Sequence, residues 1–185
     1  MYHASTTEFH MIKLFSQQKA LDRLKKLKSD FRSEITETYE HRAKSCLTCE
    51  TRGACCLDAH FVNVHISRLE TAAIKHTIST FSREKQNEIL GRIDAAISKY
   101  GLTSDGDTYA QAFACPLFEK GTGCLVHEQG KPVACITHAC YENKADLPPD
   151  EMLAQQESLV DDLNTRTYGR SQQWLPLPLA IRRAR

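Results

Sequence analysis

The chain has 185 residues, of which 41% are hydrophobic and 25% charged, with a formal net charge of +1. That balance suits one folded domain with modest extensions and excludes a disordered polyelectrolyte. It also gives no global field that would draw nucleic acid or an anionic membrane, which leaves the eight cysteines as the outlying feature.

Residues 1–12 have no clean period and are expected to be a loose tail. From Ser16 to Lys44, Leu21, Leu24, Leu27, Phe31, Ile35 and Tyr39 recur every three or four residues, which predicts an amphipathic helix. Its lysines Lys19, Lys25, Lys26 and Lys28 alternate with acids and read as a solvated face. A cysteine-rich loop spans residues 45–57, and the β-branched run Phe61 to Ile66 predicts a short strand. Ser67 and Glu70 form a capping-box pattern that opens a helix to about Thr77. Ser82 caps a second helix, Arg83 to Tyr100, with Leu90, Ile93 and Ile97 as its expected buried face and Gly101 as its stop. A turn-rich loop follows at residues 103–107, then a second cysteine cluster from Cys115 to Cys140. Pro148 and Pro149 precede a last helix to about Tyr168, with Asp150 and Glu151 suited to the positive end of its dipole. The segment with Pro176, Pro178 and the basic end at Arg182, Arg183 and Arg185 is expected to be an extended, solubilising tail. The fold class expected is mainly α, with helices around a cysteine-rich core that carries a small β-hairpin. Its expected parts are an N-terminal tail and helix (1–45), a cysteine-rich metal-binding domain (46–168) and a C-terminal tail (169–185).

The opening residues lack the basic start, apolar centre and small-residue cleavage site of a secretory leader. No apolar run approaches the roughly 20 residues a bilayer requires, so no membrane partner is expected. The expected location is cytoplasmic, where thiols stay reduced and eight cysteines read as metal ligands rather than four disulfides. The first cluster is Cys46, Cys49, Cys55 and Cys56. Two cysteines separated by two residues can aim both sulfurs at one ion across a tight turn. The adjacent pair Cys55–Cys56 has diverging side chains, so its members are expected to serve different metal atoms, or only one of them to ligate. The second cluster is Cys115, Cys124, Cys135 and Cys140. The run Lys120-Gly121-Thr122-Gly123 predicts a hairpin turn that brings Cys115 and Cys124 together. Cys135 is expected at the start of a short helix, where backbone amides favour a thiolate. Cys140 is the member most readily read as a small buried hydrophobe instead.

The order Cys46, Cys49, Cys55, Cys56, then Cys115-Pro116, Gly123-Cys124, and Lys131-Pro132 with Cys135 resembles the zinc- or iron-chelating domain family of the YkgJ type, also called the CxxCxxCC family. The likeness covers residues 46–140. This chain departs from it in the five-residue gap before the adjacent pair, and in His127 and Lys131 where the family has an aromatic residue and an arginine. The resemblance implies metal chelation and assigns no reaction. A relative of that family, the flagellin lysine methylase, carries a cysteine-bound 4Fe–4S cluster beside S-adenosylmethionine chemistry. No glycine-rich nucleotide loop supports carrying that activity over.

The expected function is therefore that of a cysteine-ligated metal-binding protein with Cys46, Cys49, Cys55, Cys56, Cys115, Cys124 and Cys135 as ligands. An iron–sulfur (4Fe–4S) centre with a structural, redox or sensing role is preferred, on the excess of thiols and the family relative. A zinc-binding structural or interaction protein and a cluster-dependent enzyme are the alternatives, and a dithiol–disulfide redox protein using Cys46 and Cys49 ranks last. For an enzyme, the polar groups flanking the cysteines are Glu50, Arg52, His127, Glu128 and Lys131, each read more simply as a solvated loop residue. His127 and His138 are read as surface or partly buried residues, and His60 and His65 do not form an obvious pair. Near-neutral charge and few aromatics between the cysteines argue against nucleic acid. A protein partner is left without identity.

Overall fold

Local sequence signals start and stop most of the helices. The computed structural model describes residues 14–44, 53, 56–57 and 63–184. The loose tail expected at residues 1–12 lies outside them. Among the described residues there are six α-helices and three two-stranded antiparallel pairs. Helix α1 (Gln17–Thr38) begins where the Ser16 hydroxyl accepts from the Lys19 amide. Helix α2 (Arg68–Ser79) opens on the reciprocal capping box of Ser67 and Glu70. Helix α3 (Arg83–Tyr100) is capped by Ser82 and ends on Gly101, whose φ of 58° is a left-handed conformation that suits glycine. A single turn, α4 (Val133–Ile136), and the long α5 (Asp150–Tyr168) follow.

The expected extended tail is instead helix α6 (Leu177–Arg183), with Leu177, Pro178, Leu179, Ala180 and Ile181 all buried. Its prolines do not oppose the helix. Pro176 stands just before it and Pro178 in its first turn, where no intrahelical donor is lost. Fully burying a side chain such as Leu177 contributes about 1.5–3 kcal/mol, so this segment is part of the core and not an appendage.

Helix α2 stands between two apolar clusters. Ile74 and Ile78 join Ile89, Ile93, Phe113, Leu117, Val126 and the α6 residues in one. Leu69 joins Leu24, Phe31, Ile35, Val133, Ile136 and Val160 in the other. The buried face of α3 is Ile89, Ile93 and Ala96 rather than Leu90, Ile93 and Ile97: Leu90 is exposed, and Ile97 only packs against the cluster's edge. Lys28 also departs from its expected solvated place. Its side chain is 11% exposed and its ammonium lies 2.9 Å from Glu70 Oε1, on a side chain with no exposure at all.

Three short strand pairs bind distant segments. Strand β1 (Ala43–Lys44) pairs with β5 (Cys140–Tyr141), with Lys44 opposite Cys140. Strand β2 (His65–Ile66) pairs with β6 (Leu175–Pro176), which draws α6 onto α2. Strand β3 (Phe118–Glu119) pairs with β4 (Gly123–Cys124) and forms the expected hairpin, with Gly121 at φ 87° and Gly123 at φ 96°. Of the strand expected at residues 61–66, His65 and Ile66 are in a strand and residues 61–62 lie outside the described set.

Candidate metal centre

The hairpin fixes two of the predicted ligands. Cys124 faces Phe118 across the ladder, and the Leu125 amide donates to the Leu117 carbonyl at 2.9 Å. Cys115 lies three residues before β3. The amides of Leu117 and Phe118 lie near enough to its sulfur to favour the thiolate, and the Phe118 amide donates to the Cys115 carbonyl at 3.1 Å. Amides aimed at a sulfur stabilise its negative charge and are a means of tuning metal–thiolate sites. Cys135 sits in α4, between Val133 and Ile136 of the second apolar cluster. Cys115, Cys124 and Cys135 lie close enough for their charges to act on one another, Cys115 and Cys124 approaching from the first apolar cluster and Cys135 from the segment that serves the second.

The first cysteine segment is joined to this region at three points. The Cys115 amide donates to the Cys56 carbonyl at 2.8 Å. Lys44, two residues before Cys46, pairs with Cys140. Gly53, at φ 80°, lies so close to the Phe118 ring that an added Cβ would sit 1.9 Å from Cε2, so the loop rests on the hairpin where only glycine fits. Cys46, Cys49 and Cys55 lie outside the described residues, as do Glu50, Arg52 and His60. Among the described residues, no group of three or more His, Cys, Asp or Glu side chains is arranged to hold a metal ion. Cys56, Cys115, Cys124, Cys135 and Cys140 are each partly buried.

Burial is the largest influence on the Cys115 thiol and pushes its pKa up to about 12, while the two amides and Arg92 oppose that rise. Burial likewise pushes Cys135 strongly up, with Cys115 and Cys124 adding to the rise. The position in α4 thus does not favour a thiolate as expected, because desolvation outweighs a single helical turn. A metal that binds here would exchange these protons for its own charge.

The surroundings suit such a centre. A cysteine-bound metal site gathers negative charge and needs donors and cations around it. Arg92, on α3, donates from Nη1 to the Phe118 carbonyl at 3.1 Å. Its Nε and Nη2 are buried without a hydrogen-bond partner among the described residues, and its charge reaches Cys115. Glu88 Oε1 lies 3.8 Å from Nε, too far for a hydrogen bond. Lys85 pairs with Glu119 at 2.6 Å, so α3 holds the hairpin at two points. On the other side Glu70 Oε1 accepts from the Val133 amide at 2.9 Å, two residues before Cys135. The pairing of Lys28, Glu70 and Val133 therefore ties α1, α2 and α4 together beneath that cysteine. Sequence reasoning passed over Arg92, because a single charge in a helical pattern looks solvated, and read Glu70 only as part of a helix cap.

His127 and His138 are exposed. The His127 carbonyl accepts from Arg32, which also pairs with Glu128 at 3.6 Å. His65 is buried with both ring nitrogens engaged: Nδ1 donates to the Asn63 carbonyl at 2.7 Å, and Nε2 accepts from the Thr108 hydroxyl at 2.9 Å. Its ring stacks on Tyr109 with centroids 3.8 Å apart. His127, Glu128 and Lys131 line neither the cavity between α1 and α5 nor that beside α2 and α6.

Comparison with known proteins adds nothing to these observations: no family model, no curated protein and no solved structure matches the chain. Among the described residues, no helix is long and apolar enough to cross a membrane.

Proposed function

We propose that this protein binds a metal through cysteines of both clusters, and that the centre is a 4Fe–4S cluster with a structural, redox or sensing role. The observation that carries the reading is the backbone junction of the two cysteine segments, from the Cys115 amide to the Cys56 carbonyl. Cys56, Cys115, Cys124 and Cys135 supply thiols on the described side of the centre, and Cys46, Cys49 and Cys55 complete the candidate set. Thiolates select soft metals such as iron in clusters or zinc, and disfavour magnesium and calcium. The amides of Leu117 and Phe118 and the Arg92 guanidinium provide the counter-charge that a cluster bound by four thiolates requires. When bound, the cluster would supply one-electron chemistry or a cross-link between segments about 60 residues apart. No group is assigned to catalysis.

Anaerobic purification followed by metal, sulfide and absorption analysis tests the reading. The expected result is a brown protein that holds iron and acid-labile sulfide. A colourless protein with stoichiometric zinc would replace the cluster with zinc, and a protein holding neither metal would overturn the proposal.

A further inference from the structure

A second feature lies apart from the cysteines, none of which lines it. Helix α2 presents Arg68, Thr71, Ala72 and Lys75, spaced as one helical face, to a cavity of about 490 Å³. Helix α6 and the residues before it form the opposite wall, from which Arg183 faces the same space. Ile66, Leu175 and Ala180 give it apolar surface, and Gln172 and Gln173 add amides. Among the described residues no aspartate or glutamate lines it. Three cations with no carboxylate among the described lining residues make a surface that favours an anion.

Two of these cations are already placed. The Arg68 guanidinium lies over the Tyr168 ring, 4.1 Å from its centroid, and the Lys75 ammonium donates to the Ala184 carbonyl. Neither Arg68 nor Arg183 has an acid within ion-pair distance among the described residues. Fixing a side chain before the ligand arrives lowers the entropy lost on binding. Guanidinium groups match the oxygens of phosphate in pairs, and three positive charges answer a dianion better than a single carboxylate. The volume falls within the range of small-molecule sites.

We propose that this cavity binds a small organic phosphate, with the phosphate held by Arg68, Lys75 and Arg183 and the organic body resting on Ile66, Leu175 and Ala180. The proposal stands independently of the metal centre.

Calorimetric titration of the full-length, metal-retaining protein tests it, with adenosine monophosphate, inorganic phosphate and adenosine as probes. The sole tryptophan, Trp174, stands between two lining residues, so its fluorescence reports whether binding occurs there. Adenosine monophosphate is expected to bind saturably with a change in Trp174 emission, to weaken with salt, and to bind at least about tenfold more tightly than either inorganic phosphate or adenosine. The double variant Arg68→Ala/Arg183→Ala removes two exposed side chains. It should keep its melting temperature and bind about tenfold more weakly or worse. If it does not fold, Lys75→Gln serves in its place, with the same direction expected. Absence of saturable binding by adenosine monophosphate, equal binding of adenosine, or undiminished affinity in the variant would each overturn the proposal. Inorganic phosphate that binds as tightly as the nucleotide would overturn the role of the organic body.

Discussion

Helices α1, α2, α3, α5 and α6 meet through fully buried side chains such as Leu24, Leu69, Ile93, Val160 and Leu177, whereas among the described residues the cysteine segments meet through single backbone hydrogen bonds, strands of two residues and the contact of Gly53 with Phe118. The first kind of contact needs nothing but the chain. Each buried aliphatic contributes about 1.5–3 kcal/mol, and the clusters share α2 as a common wall. The second kind is marginal alone, because an isolated two-stranded pair is scarcely stable in water. The cysteines stand where the two kinds of contact meet: Cys115 and Cys124 pack on the first cluster and Cys135 lies within the segment that serves the second. A metal bound there would give the weak region a cross-link and join it to both strong ones.

Removing the metal should break this comparison most severely. For structural sites the binding energy is folding energy, on the order of 10 kcal/mol, so chelation is expected to lower the melting temperature by about 20 °C. Cys124→Ser should lose metal and stability together. Unchanged melting after complete chelation would show that the cysteine region holds without help.

The helical side has its own polar weak point at Glu70. Glu70→Gln leaves the buried Lys28 ammonium without a carboxylate, a change expected to cost about 3–5 kcal/mol and to lower the melting temperature by about 10 °C. Adding Lys28→Met removes the stranded charge while the glutamine oxygen still accepts from Val133, and should recover most of the loss in denaturant unfolding. A double variant no more stable than the single one would place the cost elsewhere.

What could be read from the sequence follows the same division. Caps at Ser67 and Ser82, the stop at Gly101 and the glycine turn before Cys124 are local devices, and each acts where expected. The period of α1 placed Leu24, Phe31 and Ile35 correctly and misread Lys28, whose carboxylate partner is 42 residues away on another helix. In α3, Ile89 replaced Leu90 because packing against α6 selects the face, and no single-helix pattern encodes that neighbour. Helix α6 was hidden by prolines, which read as breakers until their place in the first turn is known. At the candidate centre the thiol chemistry was legible. The junctions of Cys115 with Cys56 and of Lys44 with Cys140 were not, because they are backbone contacts between distant segments that any side chains could accompany.

The smallest expected effect concerns His65, which ties the loop at Thr108 and Tyr109 to strand β2. Burial lowers its pKa below the ordinary value, against the opposing hydrogen bond to Asn63. The unfolded chain therefore binds the proton more readily than the folded one. The stability contributed by the neutral ring is complete above the unfolded value of about 6.5 and is lost as the pH falls through the window below it. His127, lowered mainly by desolvation, acts in the same direction from a more exposed position. Glu157 acts oppositely, because burial raises its pKa and the folded state then gains relative stability on acidification. Urea unfolding of the wild type and His65→Phe between pH about 7.5 and about 5.5 separates these contributions. The phenylalanine keeps the stack on Tyr109 but loses both ring hydrogen bonds, so the variant should be less stable at every pH and show a shallower decline. An equal slope in the two proteins would move the pH dependence to His127 and leave His65 a structural hydrogen-bonding group alone.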